Sequence, residues 1–181
     1  MIYPTHLQIE NVTGICSAHC IMCSVHSLKR KPNIMDLDTF RQILNKFMPY
    51  REHFQYLSIF GMGEPLFDKG LSEKIGVAKA MGFKGVGIAT NCSELTSNVS
   101  RNLIKAGIDT IICSVDGVTK ETHEAIRVGM DYDKVISNIN ELLLLRRFYF
   151  NKPKVIVRFI RQKANAHEWE RFKARWEKQL D

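Results

Sequence analysis

Three cysteines lie within eight residues near the amino terminus of this 181-residue chain, at Cys16, Cys20 and Cys23. The spacings of three and two intervening residues let one short loop bend around a metal centre and present three thiolates to it. Such a loop is typical of a [4Fe–4S] cluster with three protein thiolates and one iron left open for another ligand. The spacing therefore predicts Cys16, Cys20 and Cys23 as the ligands of an iron–sulfur cluster.

Two other interpretations of the three cysteines remain open. A structural zinc site usually has four protein ligands in paired form. The residues that could supply the fourth are His19, His26, Cys92 and Cys113. The second alternative is that the three cysteines bind no metal and only pack.

The remaining two cysteines, Cys92 and Cys113, are expected to be small buried apolar residues. The odd total of five cysteines, together with the lack of a charged and apolar leader in residues 1–6, argues against a disulfide framework. No apolar run approaches the ~20 residues that a membrane span needs. These features predict a soluble, cytoplasmic protein without a membrane partner.

The formal net charge of +7 is spread over both halves of the chain. The only tight basic run is residues 29–31, and the cations between Arg158 and Lys178 alternate with glutamates. Interleaved charges of this kind are typical of a solvated helix face, and no basic stripe with aromatic residues is present. We therefore expect no nucleic-acid partner, whereas an acidic substrate or an acidic redox partner fits the sign of the charge.

Short β-branched runs alternate with helical periods five times along the chain. The predicted strands are residues 7–12, 56–60, 85–90, 110–115 and 155–160. The predicted helices begin at Asp36 or Asp38, near Lys69, at Thr96 or Ser97, at Asp131 and at Asn165, where Glu168 completes a capping box. The second and third helices are expected to end at Gly82 and Gly107. Five βα units predict one α/β domain with a parallel sheet, either open or curled into a barrel.

The residues that could do chemistry follow the predicted strands directly. In parallel α/β folds, the loops after the strands meet at one edge of the sheet. In chain order these residues are the cysteine loop; Gly61, Gly63, Glu64 and Pro65; Asn91; Ser114 and Asp116; and Arg158. We therefore expect all of them to converge on one rim.

The cysteine loop after a first strand resembles the cluster-binding signature of the radical S-adenosylmethionine (radical SAM) family. Segment 61–65 resembles the Gly-Gly-Glu-Pro segment of that family, with Met62 in place of a glycine. Thr90 and Asn91 resemble the first two residues of its Thr-Asn-Gly strand end, with Cys92 in place of the glycine. The resemblance covers the whole chain.

Residues 114–127 resemble one branch of this family, the SPASM/twitch branch. The matching positions are Ser114-Val115-Asp116-Gly117, His123 and Ile126-Arg127, followed by the helix 134–139. A sixth βα unit and a cysteine-rich carboxyl-terminal extension, both usual in that branch, are not found, because no cysteine follows Cys113. Residues 1–181 are thus interpreted as a radical SAM core domain that lacks these parts.

The resemblance implies a parallel (β/α)5–6 partial TIM barrel and an enzyme of the oxidoreductase or maturase type. The implied cofactors are one [4Fe–4S] cluster and SAM, which is cleaved reductively to a 5′-deoxyadenosyl radical that abstracts hydrogen from a substrate. The implied partners are an electron donor, such as flavodoxin or ferredoxin, and a peptide, protein or small-molecule substrate. The alternative function is a non-catalytic iron–sulfur or zinc module.

The resemblance also implies roles for individual residues. Segment 61–65 would hold the methionine ammonium of SAM, with Glu64 as a further acceptor. Ser114 would hydrogen-bond SAM, and Arg127 would hold its carboxylate, unless Arg127 is a surface cation. Asp116 either contacts the site or caps the next turn. Asn91 and Arg158 are candidates by position.

A dinucleotide-dependent dehydrogenase is the rival enzyme class, since alternating strands and helices also fit a Rossmann sheet. The glycines at 61 and 63 lack the third glycine of the dinucleotide-binding fingerprint. The glycines at 82, 85 and 87 have the wrong spacing. The sequence therefore argues against a dehydrogenase.

Overall fold

The computed structural model describes residues 3–150 and 153–180. The expectations about the chain ends depend in part on Met1, Ile2 and Asp181. These residues lie outside the described ones. The strands of the described part are β1 (His6–Ile9), β2 (Val12–Thr13), β3 (His19–Cys20), β4 (Asn33–Ile34), β5 (Tyr56–Ile59), β6 (Val86–Thr90), β7 (Thr110–Ser114), β8 (Arg127–Val128) and β9 (Lys154–Arg158). Its α-helices are α1 (Leu37–Phe47), α2 (Leu71–Ala80), α3 (Ser97–Lys105), α4 (Lys120–Ile126), α5 (Tyr132–Arg146) and α6 (Trp169–Trp176).

Five of these strands form one parallel sheet in the order β1-β5-β6-β7-β9. Strands β7 and β9 are paired over their whole length, from Thr110 opposite Lys154 to Ser114 opposite Arg158. Each of the five strands is followed along the chain by at least one helix before the next one begins or the described chain ends. The predicted α/β class with five βα units is therefore confirmed.

Burial within the sheet is greatest at its central strand, β6. All five residues of β6 are buried, as expected for a strand covered on both faces. Helix α1 places Phe40 and Leu44 in the core, where each buried side chain contributes about 1.5–3 kcal/mol. Cys92 and Cys113 are fully buried in the same core, which confirms the expectation for both.

Side chains placed at the helix starts confirm three of the predicted boundaries. Asp36 accepts a hydrogen bond from the Thr39 backbone N–H at 2.7 Å, which satisfies a donor that the first turn leaves free. The other two caps are Thr96 for α3 and Asp131 for α5. The glycines expected at the helix ends, Gly82 and Gly107, adopt φ angles of +83° and +87°.

The predicted first strand, residues 7–12, is wrong in its second half. The parallel strand β1 ends at Ile9, and Val12–Thr13 pairs instead with Asn33–Ile34 in an antiparallel ribbon. The chain leaves the sheet at Glu10, whose carboxylate accepts hydrogen bonds from the Met62 backbone N–H and from the side chain of Arg30. These long-range contacts turn the chain where the sequence pattern would have continued the strand.

The predicted capping box at the last helix is also wrong. Asn165 makes no side-chain cap, and a 3₁₀ turn over Ala166–Glu168 precedes α6. The Asn165 side-chain amide donates instead to the carbonyls of Asp116 and Ile160, both at 3.0 Å. The Glu168 carboxylate accepts from the hydroxyl of Thr119 at 2.7 Å. Both side chains therefore fasten the last helix to the loop after β7.

Helix α4 was not predicted, because residues 120–126 were interpreted only as a motif before the long helix. Thr119 caps it by accepting from the Thr122 backbone N–H. In α6, Phe172 and Trp176 are buried and Trp169 packs against the core. None of the described helices combines the length and the apolar character that crossing a membrane requires.

Candidate metal and cofactor site

A cavity of ≈ 210 Å³ lies where the strands of the sheet end, and we call it the rim cavity. Ten of the predicted site residues line it: Cys16, Cys20, Cys23, Gly61, Gly63, Glu64, Asn91, Ser114, Arg127 and Arg158. The other two, Pro65 and Asp116, are buried and do not line the cavity. The structure thus brings the groups from all five strand ends to one place.

Protein contacts hold the cysteine loop from two sides. On one side the Gly14 N–H donates to the carbonyl of Met62 at 2.6 Å, and the Glu64 N–H donates to the carbonyl of Ile15 at 2.8 Å. On the other side β3 pairs with β8 in an antiparallel ribbon that sets Cys20 opposite Arg127. The loop therefore connects segment 61–65 with the end of α4.

The three cysteines of the loop are free thiols. Cys16 and Cys20 are half-buried, and Cys23 is exposed. Burial raises the pKa of Cys16 and of Cys20, so both are protonated at neutral pH and must lose a proton to bind a metal. Within the described ranges, no three His, Cys, Asp or Glu side chains lie close enough together to hold a single metal ion.

The two glycines of segment 61–65 are required by the chain's own packing. A Cβ atom at Gly63 would lie 2.6 Å from the carbonyl oxygen of Val12, and one at Gly61 would collide with the side chain of Glu10. Met62, which stands where the family has a glycine, is half-buried between them. Residues 10–12 therefore explain both glycines without reference to a ligand.

Glu64 connects segment 61–65 to the end of β6. One of its carboxylate oxygens accepts from the Thr90 hydroxyl at 2.6 Å, and the other accepts from the Asn91 N–H at 2.8 Å. Only 3% of Glu64 is exposed, and this burial raises the pKa of its carboxyl group. The oxygen bound by Thr90 also accepts from the Leu66 N–H at 3.2 Å. The oxygen bound by Asn91 therefore retains capacity for a second donor.

Asn91 lies between Glu64 and the cysteine loop. Its side-chain amide is 3.7 Å from the sulfur of Cys16 and donates to the hydroxyl of Ser17 at 3.2 Å. The next residue, Cys92, has a φ of +66°, a left-handed conformation in which glycine is the least strained residue. Cys92 therefore stands at a position where a glycine would be under less backbone strain.

Arg127 is buried, so its interpretation as a surface cation is wrong. The guanidinium pairs with the carboxylate of Asp116 at 2.8 Å, with 8% and 0% of the two side chains exposed. The other oxygen of Asp116 accepts from the Ile160 N–H at 2.7 Å. Asp116 therefore does not cap the next turn. It neutralises Arg127 and fixes the chain after β9.

A second guanidinium, that of Arg158, lines the same cavity. It donates to the hydroxyl of Ser114 at 3.1 Å, across the paired ends of β7 and β9. Burial and the nearby Arg127 lower the pKa of Arg158. The rim cavity therefore has two cationic groups, of which Arg127 already has a carboxylate partner.

Sequence reasoning missed one histidine beside this site. His123, which the motif comparison gives no role at the site, is fully buried, with Nδ1 3.4 Å from the backbone nitrogen of Asp116. Burial and the charge of Arg127 lower its pKa to about 4, so the ring is neutral. Two other histidines, His19 and His26, stack on each other with 3.7 Å between their ring centroids. Only the position of His123 within the 114–127 motif could have signalled its role.

Comparison with known proteins identifies the class. The family model of the radical SAM superfamily matches residues 11–147, which is most of the chain. The chain therefore belongs to the radical SAM superfamily, whose members bind a [4Fe–4S] cluster and SAM and generate radicals. The expected family is confirmed.

Individual relatives are similar over the same part of the chain. The 7,8-dihydro-6-hydroxymethylpterin dimethyltransferase of Methanocaldococcus jannaschii is 30% identical over 128 residues, which cover 68% of this chain and 24% of that protein. The mycofactocin maturase MftC of Mycobacterium tuberculosis is 28% identical over 131 residues, covering 72% of this chain and 32% of that protein. The chain thus spans about a quarter to a third of the length of these relatives.

Two solved structures of SuiB from Streptococcus suis share the fold. The structure bound to the precursor peptide SuiA has a TM-score of 0.73 and 18% identity, and covers 99% of this chain and 38% of SuiB. The structure bound to SAM has a TM-score of 0.74 and 17% identity, with 99% and 39% covered. The similarity of fold agrees with the expected partial TIM barrel.

Proposed function

We propose that Cys16, Cys20 and Cys23 hold a [4Fe–4S] cluster whose fourth iron is free to bind SAM. One observation supports this most directly: the three thiols share one cavity with the polar groups of four other strand ends. Thiolate ligands are the donors that such clusters use. The buried Nε of Arg127 has no hydrogen-bond partner among the described residues, and such an unsatisfied donor fits a site built for a further group.

The chain's own residues bind and orient these groups. Segment 61–65 and the carboxylate of Glu64 are suited to the ammonium group of SAM. Ser114 and the guanidinium groups of Arg127 and Arg158 form a cationic wall suited to its carboxylate, for which a forked donor is the best match. When both cofactors are bound and the cluster is reduced, they supply a 5′-deoxyadenosyl radical that takes a hydrogen atom from the substrate.

We further propose a peptide, a protein side chain or a small molecule as the substrate. SuiB, whose fold this chain shares, has been solved with a precursor peptide bound, and this supports the peptide class. A low-potential one-electron carrier, such as flavodoxin or ferredoxin, would supply the electron. The net charge of +7 fits an acidic donor. The proposed setting is the cytoplasm, with neither nucleic acid nor membrane as a partner.

Anaerobic reconstitution with iron and sulfide tests the cluster. The wild-type protein should bind about four irons and four sulfides per chain and become brown. Cys20→Ala should lose most of this iron because one of three thiolate ligands is removed. Cys113→Ala is the matched control, since Cys113 is buried in β7 and lies outside the rim cavity, and it should reconstitute like the wild type.

The same preparation distinguishes the alternative, a non-catalytic iron–sulfur or zinc module. Adding SAM to the reduced protein should change the electron paramagnetic resonance spectrum of the cluster, because SAM would bind the open iron. A colourless protein that retains one zinc per chain would contradict the proposal. A reduced cluster whose electron paramagnetic resonance spectrum does not change when SAM is added would favour the non-catalytic module.

A further inference from the structure

Backbone pairing fixes the position of Arg127 relative to one of the three thiols. Arg127 is the first residue of β8 and stands opposite Cys20 in the antiparallel pairing of β3 with β8. Its Nη1 lies 3.7 Å from the sulfur of Cys20, within reach of an N–H···S hydrogen bond. The contact therefore follows from the backbone register.

The guanidinium is also held rigidly from its other side. Its Nη2 pairs with Asp116 at 2.8 Å, and Asp116 is fixed by the Ile160 N–H at 2.7 Å. Only 8% of the Arg127 side chain is exposed, so solvent weakens its charge little. A buried, fixed N–H donor beside a sulfur atom stabilises negative charge on that sulfur, even where a carboxylate balances the charge of the donor group.

We propose that Arg127 is a positioning residue that tunes the cluster by donating a hydrogen bond to the Cys20 thiolate. This inference rests on the proposed function, since it requires Cys20 to be a cluster ligand. Reduction adds one electron from the low-potential carrier to the cluster and forms or breaks no bond in the protein. Because Arg127 stabilises the added negative charge, it raises the reduction potential and makes that electron transfer easier.

Arg158 provides a matched comparison within the same cavity. It carries the same charge and also lines the cavity, but its guanidinium donates to the hydroxyl of Ser114. No cysteine sulfur is among the hydrogen-bond partners found for it in the described chain. Arg158 is exposed at the end of β9, so solvent screens its charge more than that of Arg127. The proposed hydrogen bond involves Arg127 alone.

Redox titration of the reconstituted proteins, followed by electron paramagnetic resonance without SAM, tests the proposal. At the wild-type midpoint potential, Arg127→Gln should show at least a tenfold lower ratio of reduced to oxidised cluster, which corresponds to about 59 mV for one electron. Arg127→Lys, which keeps the charge but not the fork, should show a smaller decrease. Arg158→Gln should change the ratio by less than threefold.

An Arg127→Gln ratio within threefold of the wild type would overturn the inference, and so would an equal decrease in Arg158→Gln. If Arg127→Gln does not fold because Asp116 loses its partner, the double variant Asp116→Asn/Arg127→Gln removes both charges. The ratio of that variant should still fall at least threefold, and an unchanged ratio would also overturn the inference. A wild-type protein that binds no cluster would instead contradict the proposed function.

Discussion

Three charged groups at this site, Glu64, Asp116 and Arg127, are buried, and each one depends on a specific partner. Arg127 and Asp116 form an ion pair with almost no exposure, and Glu64 is held by donors from β6 and the residue after it. Such pairs add little net stability, yet loss of one partner leaves an uncompensated buried charge. At the scale of single residues, these contacts are therefore better explained by positioning than by stability.

His123 gives the site a stability that depends on pH. Its pKa is about 4 in the folded protein, against an ordinary value of 6.5, so between these values only the unfolded chain binds the proton. The free energy of unfolding should therefore fall as the pH decreases from about 6.5 to about 4, by roughly 3 kcal/mol from this residue. Chemical denaturation at several pH values would measure the decrease.

Two variants isolate the contribution of His123. His123→Gln should lose this part of the pH dependence, so that the difference from the wild type narrows as the pH falls. His167→Gln, at an exposed position, should follow the wild-type curve. Parallel curves for the wild type and His123→Gln would show that the histidine does not titrate in this way.

At the scale of elements, segment 61–65 and the cysteine loop are built as one unit. Gly63→Ala would place a methyl group 2.6 Å from the carbonyl oxygen of Val12, and the backbone must move to relieve this contact. We expect the free energy of unfolding to decrease by about 1–3 kcal/mol. We also expect less iron to bind on reconstitution, because Val12 leads into the cysteine loop.

Gly76→Ala is the control for this substitution. Gly76 lies in α2, and a Cβ atom there would meet nothing within 4 Å. It should therefore raise the free energy of unfolding by about 0.5–1 kcal/mol, since alanine favours a helix more than glycine does, and leave iron binding unchanged. Equal iron content in Gly63→Ala and Gly76→Ala would contradict the proposed link between segment 61–65 and the loop.

Local sequence patterns were sufficient to predict the parallel strands and the starts of three helices. The parallel strands and the caps at Asp36, Thr96 and Asp131 follow from neighbouring residues, and the structure has all of them. The capping box at Asn165 failed because its side chain binds backbone groups far away in sequence. The pairing of β3 with β8 was not predictable either. Its two strands have only two residues each and lie far apart in the sequence.

The candidate site shows the same division. The residue types and their strand-end positions predicted which groups would share the rim cavity. The sequence could not show that Arg127 faces Asp116 and Cys20, because that geometry depends on β8 and on the end of β9. The neutral His123 was missed because burial, which no local pattern reveals, determines its state.

At the scale of the whole molecule, the parallel sheet brings the residues of the rim cavity together. Its order, β1-β5-β6-β7-β9, sets five strand ends side by side, and each contributes at least one group to the rim cavity. Separate parts of the chain thus supply the thiols, the buried carboxylate and the two guanidinium groups. The proposed function uses these groups together, and the strand ends of the sheet, with β8, bring them to one cavity.

Formation of 5′-deoxyadenosine tests the central claim most directly. The reconstituted protein would be reduced anaerobically with dithionite in the presence of SAM, and the products separated by liquid chromatography with mass detection. The account predicts that 5′-deoxyadenosine accumulates with the wild-type protein and not with Cys20→Ala. A wild-type protein that carries a full, reduced [4Fe–4S] cluster and yet leaves SAM intact would contradict it.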